Sequence, residues 1–281
     1  MTITYDDVVK ARETQSKVIR KTTLEFSETF SKICGSKIYL KNEYEQKTGS
    51  FKIRGAYYKI KSLTDEEKSN GVVAASAGNH SQGVAFASHI ENIPCTIVMP
   101  KTASPAKVSA TKGYGANVVL EGSTYDESWA HAQKISSETN ATIIHAFDDS
   151  HVIAGQGVIG LEIIEQLPDV DEIYVPIGGG GLVAGIITAV KEKNPQVKII
   201  GVESSAYPAM KKSLENNTLE TVSGDTTIAD GISVKTPGKL TFDIVKQKID
   251  KIVTVDDSDI INAMFLLMEP VSYTHLTLPT N

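Results

Sequence analysis

The chain has 281 residues and a formal net charge of −6. Its 41% hydrophobic and 22% charged residues are typical of a globular protein. The acidic balance gives no reason to expect nucleic acid or an anionic membrane as a partner. The length allows one large domain or two of moderate size.

Cysteine use and the apolar runs bear on the cellular location. The two cysteines, Cys34 and Cys95, form no CxxC pair, so we expect neither a disulfide framework nor a zinc site. The amino-terminal stretch "MTITYDDVVKARE" lacks the apolar core of a signal peptide. The longest apolar run, "GGLVAGIITAV", is too short to span a bilayer. The sequence therefore predicts a cytoplasmic protein without a metal site.

The first half of the chain shows a regular alternation of elements. Residues 5–20 are predicted as a helix, and "KIYLKNE" (Lys37–Glu43) alternates like a strand. Four short β-branched runs follow about every 20–25 residues, namely "GVVAAS", "CTIVMP", "ANVVLEG" and "ATIIHAF". The segments between them carry helix start signals, such as a capping box at Thr64–Glu67 and Ser104 before Pro105. This alternation predicts a parallel sheet covered by helices.

A second α/β set begins after Phe147. The run "VIAGQGVIGLEIIEQL" is helical, "EIYVPI" and "VKIIGVES" are predicted strands, and "GGGGLVAGIITAVKEK" is a loop that opens a helix. We therefore predict an α/β protein with two lobes, each a mainly parallel sheet flanked by helices. The small lobe spans 48–146, and the large lobe joins 1–47 to 147–270, with a ligand cleft between the lobes.

The end of the chain departs from this pattern. The stretch "IINAMFLLMEP" predicts a helix that ends at Pro270. The remaining "VSYTHLTLPTN" continues neither the periodicity nor a cap, and it resembles translated sequencing-adapter read-through. We expect 271–281 to be a non-native tail on a truncated gene, and exclude it from the fold prediction.

The glycine-rich stretch "VPIGGGGLVAG" indicates an anion site. Gly178, Gly179, Gly180 and Gly181 follow a strand and open a helix, so backbone N–H groups can approach a phosphate without side-chain clashes. A plain tight turn would need only one or two glycines. The loop also matches a dinucleotide fingerprint through Ala184, with Glu203 as the ribose-binding acid. A nicotinamide-dependent oxidoreductase therefore stays open at this point.

The stretch "AASAGNHSQG" offers a second helix N-terminus. A predicted strand ends at Ala75, Ser76 to Asn79 form the turn, and a helix starts near His80. Such a turn suits a carboxylate. A simple cap by Ser76 or Asn79 explains the same residues, and a histidine at this place is usually a capping or packing residue.

Lys52 lies in "KTGSFKIRGA", two residues after a predicted N-cap, Ser50. Most lysines in such a position are solvated. A cation at a helix N-terminus meets like partial charge, which lowers its pKa, as burial would. A lysine with a lowered pKa is a candidate former of a Schiff base. An activatable amine, a phosphate cradle and an anion-binding turn together suit a phosphorylated aldehyde, pyridoxal phosphate (PLP).

The motifs "KTGSFKIRGA", "SAGNHSQGVA", "PIGGGGLVAG" and "IADGISV" together resemble those of the serine/threonine dehydratases. These are fold-type II PLP enzymes, similar to the tryptophan synthase β chain and related to serine racemase. The resemblance implies that Lys52 holds PLP as a Schiff base and that Phe51 packs near its ring. It implies further cofactor contacts from Asn79, Gly178, Gly179, Gly180, Gly181 and Leu182. The substrate carboxylate would be framed by Ser76, Ala77, Gly78 and His80, with Ala229–Gly231 lining the cleft.

The resemblance also implies an activity, which is β-elimination of L-threonine, and of L-serine less well, to a 2-oxo acid and ammonia. Serine racemase and a cysteine synthase-like β-replacement enzyme stay open as alternatives. Racemases carry a serine at the position of Ala77, and the aspartate of their cation site falls at Ala209, so racemisation and a metal site are disfavoured. The family further implies a homo-oligomer acting on a small amino acid. The residue that faces the pyridine nitrogen would lie beyond 269.

Overall fold

The computed structural model describes residues 3–275, with the side chains of residues 3–268. The helices of this part of the chain are α1 (Tyr5–Gln15), α2 (Glu28–Cys34), α3 (Lys52–Lys61), α4 (Asp65–Asn70), α5 (Asn79–Ile90), α6 (Pro105–Gly113), α7 (Tyr125–Thr139), α8 (Ser150–Gln166), α9 (Gly181–Lys191), α10 (Ala209–Glu215), α11 (Lys239–Lys248) and α12 (Asp257–His275). The strands are β1 (Leu24–Phe26), β2 (Tyr39–Lys41), β3 (Val72–Ala75), β4 (Cys95–Met99), β5 (Asn117–Leu120), β6 (Thr142–Ile143), β7 (Glu172–Pro176), β8 (Lys198–Ser204) and β9 (Lys251–Val255). Among the described helices, none is both long and apolar enough to cross a bilayer.

The four predicted β-branched runs form one parallel sheet with the strand order β5-β4-β3-β6. The chain moves outward from β3 to β5 and then returns to the other side of β3 as β6. The direction of winding therefore reverses between β3 and β6. In open parallel sheets, ligands bind outside the carboxyl ends of the strands at such a reversal. The segments that follow β3 and β6 are thus the place to look for a site.

The second parallel sheet has the order β7-β8-β9 and shares a core with α1, α8, α9 and α11. Val8 and Ala11 on α1 are fully buried against this core. The predicted α/β class, with mainly parallel sheets flanked by helices, is confirmed. The predicted lobe boundaries stay a prediction.

Helix α8 lies between α3 and α9, and glycines allow close contact on both sides. A Cβ on Gly155 of α8 would lie 2.7 Å from the Cα of Gly55 on α3. A Cβ on Gly185 of α9 would lie 2.6 Å from the backbone nitrogen of Gly157 on α8. Helix α8 therefore links the helix that begins with Lys52 to the helix that follows the glycine loop.

Two amino-terminal predictions differ from the structure. The predicted helix over 5–20 ends at Gln15, whose side-chain amide donates to the carbonyls of Arg54 and Gly155 at 2.9 and 3.0 Å. The predicted strand Lys37–Glu43 shortens to Tyr39–Lys41, which pairs antiparallel with β1. The last residue of α1 and strand β2 are thus each held by partners distant in sequence.

The prediction that the last helix ends at Pro270 is wrong, because α12 continues to His275. A proline inside a helix removes one hydrogen bond and crowds the preceding turn, but a helix can continue past it. Residues 276–281 of the predicted non-native tail lie outside the described part of the chain.

Candidate active site

The segments after β3 and β6 meet, as the sheet topology requires. The backbone N–H of Ile144 donates to Val73 at 2.9 Å and extends the pairing of β6 with β3. His80, in the first turn of α5, is bonded from Nε2 to the Ile144 carbonyl at 2.8 Å. The turn 76–80 and the segment 144–147 therefore form one wall.

Lys52 reaches this wall from the start of α3. Its Nζ donates to the Ala146 carbonyl at 2.9 Å and lies 5.4 Å from the centre of the Phe51 ring. Burial lowers the pKa of Lys52 from 10.5 to about 8. The amine is therefore neutral in a substantial fraction of molecules at mildly alkaline pH, as a nucleophile or base requires.

The predicted N-cap at Ser50 is wrong. Phe51 occupies the N-cap position, and no described side chain caps the helix. The Ser50 hydroxyl is buried and has no hydrogen-bond partner among the described residues. Helix α5 packs here instead, because a Cβ on Gly83 would lie 3.1 Å from the carbonyl carbon of Lys52. Tertiary packing, rather than a local cap, holds the start of α3.

The glycine loop has the shape of an anion cradle. Gly180 adopts a left-handed conformation with φ of +94° and forms the N-cap of α9. The Gly179 carbonyl accepts from the Thr241 hydroxyl at 2.6 Å and from the Gly238 N–H at 3.2 Å. This carbonyl is therefore held against α11, while the first N–H groups of α9, including that of Leu182, have no intrahelical acceptor.

Phe147 joins the glycine loop to the lysine. A Cβ on Gly179 would overlap the Phe147 ring, and one on Gly181 would lie 2.9 Å from the Phe147 Cβ. The preceding residue, Ala146, accepts the hydrogen bond from Lys52. Ala146 and Phe147, which are adjacent, therefore bring the Lys52 amine and the glycine loop together from distant parts of the chain.

The "ADG" stretch lies on the other side of the glycine loop. A Cβ on Gly178 would lie 3.1 Å from the Cα of Ile232, which ends the 3-10 turn Asp230–Ile232. Lys107 of α6 forms an ion pair with Asp230 at 2.9 Å. This stretch therefore borders the glycine loop and also contacts the part of the chain that forms the four-stranded sheet.

The turn before α5 keeps its helix N-terminus open. The Ser76 hydroxyl accepts from the Gly78 N–H at 3.2 Å, inside the turn. Gly78 is the N-cap, and among the described residues no side chain caps this helix. The capping interpretation of Ser76 and Asn79 is therefore wrong. Ala77 is partly buried and Asn79 is exposed, so the free N–H groups can receive an anion.

His80 presents an acceptor to its surroundings. A carbonyl only accepts, so Nε2 carries the proton in the bond to Ile144, and Nδ1 carries a lone pair. Burial first, and the charge of Lys52 second, lower the pKa of His80 to about 3. Nδ1 is buried without a partner in the described part of the chain. The single N–H of the neutral imidazole is used on the Ile144 carbonyl, so His80 has no donor left for a carboxylate.

His145 is a site residue that the sequence argument missed. Its Nδ1 accepts from the N–H groups of Phe147 and Asp148 at 3.2 and 2.8 Å. Its ring meets the rings of Trp129 and Phe147 edge to face. Burial is the main cause that lowers the pKa of His145, and the charge of Lys52 acts in the same direction. In the sequence it lies inside the predicted strand run "ATIIHAF", where no motif marks it.

Glu203 is occupied by a structural role. Its two carboxylate oxygens accept from the N–H groups of Met210 and Lys211 at 2.8 and 2.9 Å, so it caps α10. Burial raises the pKa of this carboxyl to about 7. Glu203 is also 0% exposed, so a ribose cannot reach its carboxylate, which counts against the dinucleotide interpretation. Within the described range, no three His, Cys, Asp or Glu residues are grouped for a metal.

The arrangement fits PLP. The cofactor needs an amine for its aldehyde and a backbone cradle for its phosphate. The partly buried Lys52 amine supplies the first. The left-handed Gly180 turn, at a helix start where neighbouring glycines have no room for a Cβ, supplies the second. Both meet at the segment that contains Ala146 and Phe147.

Comparison with known proteins agrees with this geometry. The family model described as "Pyridoxal-phosphate dependent enzyme" matches residues 15–271. The chain therefore belongs to the family of pyridoxal-phosphate-dependent enzymes. An L-threonine ammonia-lyase of Thermotoga maritima is 51% identical over 267 residues, which are 95% of this chain and 67% of that protein. The chain thus spans about two thirds of the length of this relative.

Two solved structures share the fold. The maize serine racemase superposes with a TM-score of 0.93 at 34% identity, covering 96% of this chain and 82% of that one. The processed threonine deaminase isoform 2 of Solanum lycopersicum gives 0.91 at 39% identity, covering 94% and 78%. The predicted fold-type II class and the predicted cofactor are confirmed by this family membership.

Proposed function

We propose that this chain removes the Cα proton and the β-hydroxyl group of L-threonine, and of L-serine less well, together as one water molecule. Hydrolysis of the released enamine then takes up one water molecule and yields 2-oxobutanoate or pyruvate with ammonia. The observation that carries the proposal is the partly buried Lys52 amine, with its lowered pKa, beside the glycine loop. The name of the Thermotoga maritima relative supports the choice of threonine. Bound PLP would supply an electron sink for the charge that develops at the substrate Cα.

The residues of this chain divide the remaining work. Lys52 would hold the cofactor and, once displaced by the substrate amine, act as the base that removes the Cα proton, since its pKa lies near 8. The N–H groups of Gly178–Gly181 and Leu182 would bind the phosphate at the start of α9. Phe51 would pack near the ring, and Asn79 would hydrogen-bond its 3′ oxygen.

The substrate carboxylate would lie at the open N-terminus of α5. Ser76, Ala77, Gly78 and His80 would surround it, with backbone N–H groups as donors. The helix N-terminus adds positive potential, while the imidazole of His80 stays neutral and adds no charge. The carboxylate and phosphate sites would thus lie at two different helix starts.

Serine racemisation is the second candidate, because the maize serine racemase superposes closely on this chain. A racemase needs an acid-base group on each face of the substrate Cα. Lys52 would serve one face, and the methyl group of Ala77 offers no hydroxyl to serve the other. Chiral analysis of L-serine after incubation separates inversion from elimination, and comparable rates of the two would contradict the proposal.

The wider organisation is also proposed. We propose a small lobe over 48–146, a large lobe over 1–47 and 147–270, and a homo-oligomer that acts in the cytoplasm. The support is that the two parallel sheets fall within these two spans. Light scattering after size exclusion tests the assembly.

The decisive test is an absorption spectrum of the chain with added PLP, followed by borohydride reduction and peptide mapping. We expect a reduced adduct on Lys52 and none in a Lys52→Met variant. Lys59→Met is the matched control, because Lys59 lies in the same helix and pairs with Asp149. An adduct that persists in Lys52→Met would contradict the assignment. Threonine turnover, assayed as 2-oxobutanoate, then tests the reaction itself.

A further inference from the structure

Arg54 lies two residues after Lys52 and belongs to a buried cluster of four charges. Its guanidinium grips the Glu43 carboxylate through Nε and Nη2, both at 2.8 Å, and the Glu162 carboxylate through Nη1 and Nη2 at 2.7 and 3.0 Å. Lys41 adds a third cationic contact, to Glu162 at 2.6 Å. These side chains are between 0% and 15% exposed, and their charges cancel.

Such a cluster is a costly way to attach a helix. Moving charged groups out of water is costly, and well-packed apolar residues in their place are often equally stabilising or more so. In some proteins a buried charged cluster serves instead to fix the geometry of the elements that it joins. Helix α3 already has apolar anchors, since Ile53 and Ile60 are fully buried. The cluster therefore contributes more than burial, because it fixes the orientation of helix α3. Two forked carboxylate contacts allow Arg54 only one placement.

The position of Arg54 affects Lys52 through the backbone, because the two residues are about half a helical turn apart. The Arg54 carbonyl accepts from Gln15 at 2.9 Å, and the Gly55 N–H donates to Gln156 at 3.2 Å. With no described side chain capping α3, these bonds and the guanidinium hold its first turn. Glu162 and Gln156 both lie on α8, and Ala146 precedes that helix by four residues. Arg54 thus sets where α3 begins relative to the Ala146 carbonyl.

We propose that Arg54 is a positioning residue that holds the Lys52 amine inside the protein, at the Ala146 carbonyl. The inference rests on the role of Lys52 proposed above. Arg54 touches neither the amine nor any reacting atom in this arrangement. Lysine at position 54 could keep the charge, but its single ammonium cannot make two planar forked contacts at once.

The test measures the pKa of the Lys52 amine in the cofactor-free chain. Trace acetylation with acetic anhydride across pH 6–11, read by peptide mass spectrometry, reports how each lysine titrates. In the wild-type chain we expect Lys52 to titrate near 8. In Arg54→Met, water should reach the loosened first turn, and the pKa of Lys52 should rise by about one unit or more. At pH 8 the neutral fraction of the amine should then fall from about one half to about one tenth, roughly a fivefold loss of reactive amine. Arg54→Lys, the milder variant if Arg54→Met does not fold, should raise it in the same direction.

Three controls separate positioning from general stability. Arg12→Met removes an exposed arginine that pairs with Glu165 on the same helix α8, and it should leave the pKa of Lys52 unchanged. Ile60→Ala destabilises the other end of α3 and should also leave it unchanged. The double variant Glu43→Gln, Arg54→Met removes one charge of each sign, so it should recover stability relative to Arg54→Met while the pKa of Lys52 stays raised.

Two results would overturn the inference. One is an unchanged pKa of Lys52 in a folded Arg54→Met or Arg54→Lys chain. The other is a pKa that follows stability across all the variants, including Ile60→Ala and the double variant. Because no cofactor is present, the outcome is independent of the proposed reaction. An Arg54-dependent pKa without any PLP adduct on Lys52 would refute the proposed function and leave the positioning role intact.

Discussion

Replacing Gly155 with alanine should push α3 away from α8. A Cβ at this position would lie 2.7 Å from the Gly55 Cα and 2.8 Å from the Arg54 carbonyl oxygen. Both are backbone atoms, so no side chain can rotate away. Carbon atoms pack at about 3.5–4.0 Å, so the two helices must separate by roughly 1 Å.

The cost combines two opposing effects. Overpacking a core typically costs about 1–3 kcal/mol, whereas alanine regains up to about 1 kcal/mol over glycine inside a helix. We therefore expect Gly155→Ala to lower the free energy of unfolding by about 1–2 kcal/mol, and the melting temperature by roughly 2–6 °C. The Arg54 carbonyl must move, so the yield of reduced PLP adduct on Lys52 should fall as well.

The assay is urea unfolding followed by circular dichroism, with Gly113→Ala as the matched control. Gly113 also lies in a helix, and a Cβ there would meet nothing within 4 Å. This control should be neutral or more stable by up to about 1 kcal/mol. If Gly155→Ala were as stable as the control, the close contact between α3 and α8 would not be as described, and the reasoning would fail.

Three further predictions follow from the buried titratable groups. Lys52→Met should stabilise the cofactor-free chain by about 1–3 kcal/mol at pH 7, because the unfolded chain holds the proton of the Lys52 ammonium more tightly than the folded chain does. This gain should vanish as the pH rises from 8 to above 10.5. The pKa of His80 is lowered from 6.5 to about 3, so the chain should lose free energy of unfolding as the pH falls below 6.5. His80→Asn should reduce this loss by up to about 1.4 kcal/mol per pH unit. Glu203 has a pKa raised from 4.5 to about 7, so the wild-type chain should lose stability as the pH rises from 4.5 to 7. Glu203→Gln should flatten this part of the stability profile.

All three are read from urea midpoints at several pH values, as differences between variant and wild type. A Lys52→Met chain that is less stable than wild type at pH 7 would contradict the burial of the amine. Parallel acid profiles for wild type and His80→Asn would show that the folded imidazole titrates normally. A Glu203→Gln profile as steep as that of wild type would assign the slope to other groups.

The sequence alone predicted the strands of the main sheet and several helix starts. The runs that became β3, β4 and β5 combine β-branched residues with bounding turn residues. The capping box at Thr64 and the Ser104-Pro105 start are present as predicted. These signals are readable because each depends on neighbours within four residues.

The glycine loop and Lys52 were also recognisable from sequence, through local chemistry and through the resemblance of four motifs. What the sequence could not supply is their convergence. Ala146 and Phe147 connect the lysine and the loop, and no local pattern identifies either residue. The roles of the remaining predicted contact residues stay predictions.

Tertiary structure decided everything that depends on burial or on distant partners. The pKa of Lys52 falls chiefly through burial, although the sequence argument started from the helix N-terminus. Gln15, the last residue of α1, donates from its side-chain amide to the Arg54 and Gly155 carbonyls, which are distant in sequence. The sequence prediction assigned no role to Arg54, yet it is fully buried between two carboxylates. Desolvation and long-range pairing depend on how the whole chain packs, so they cannot be predicted from a short stretch of neighbouring residues.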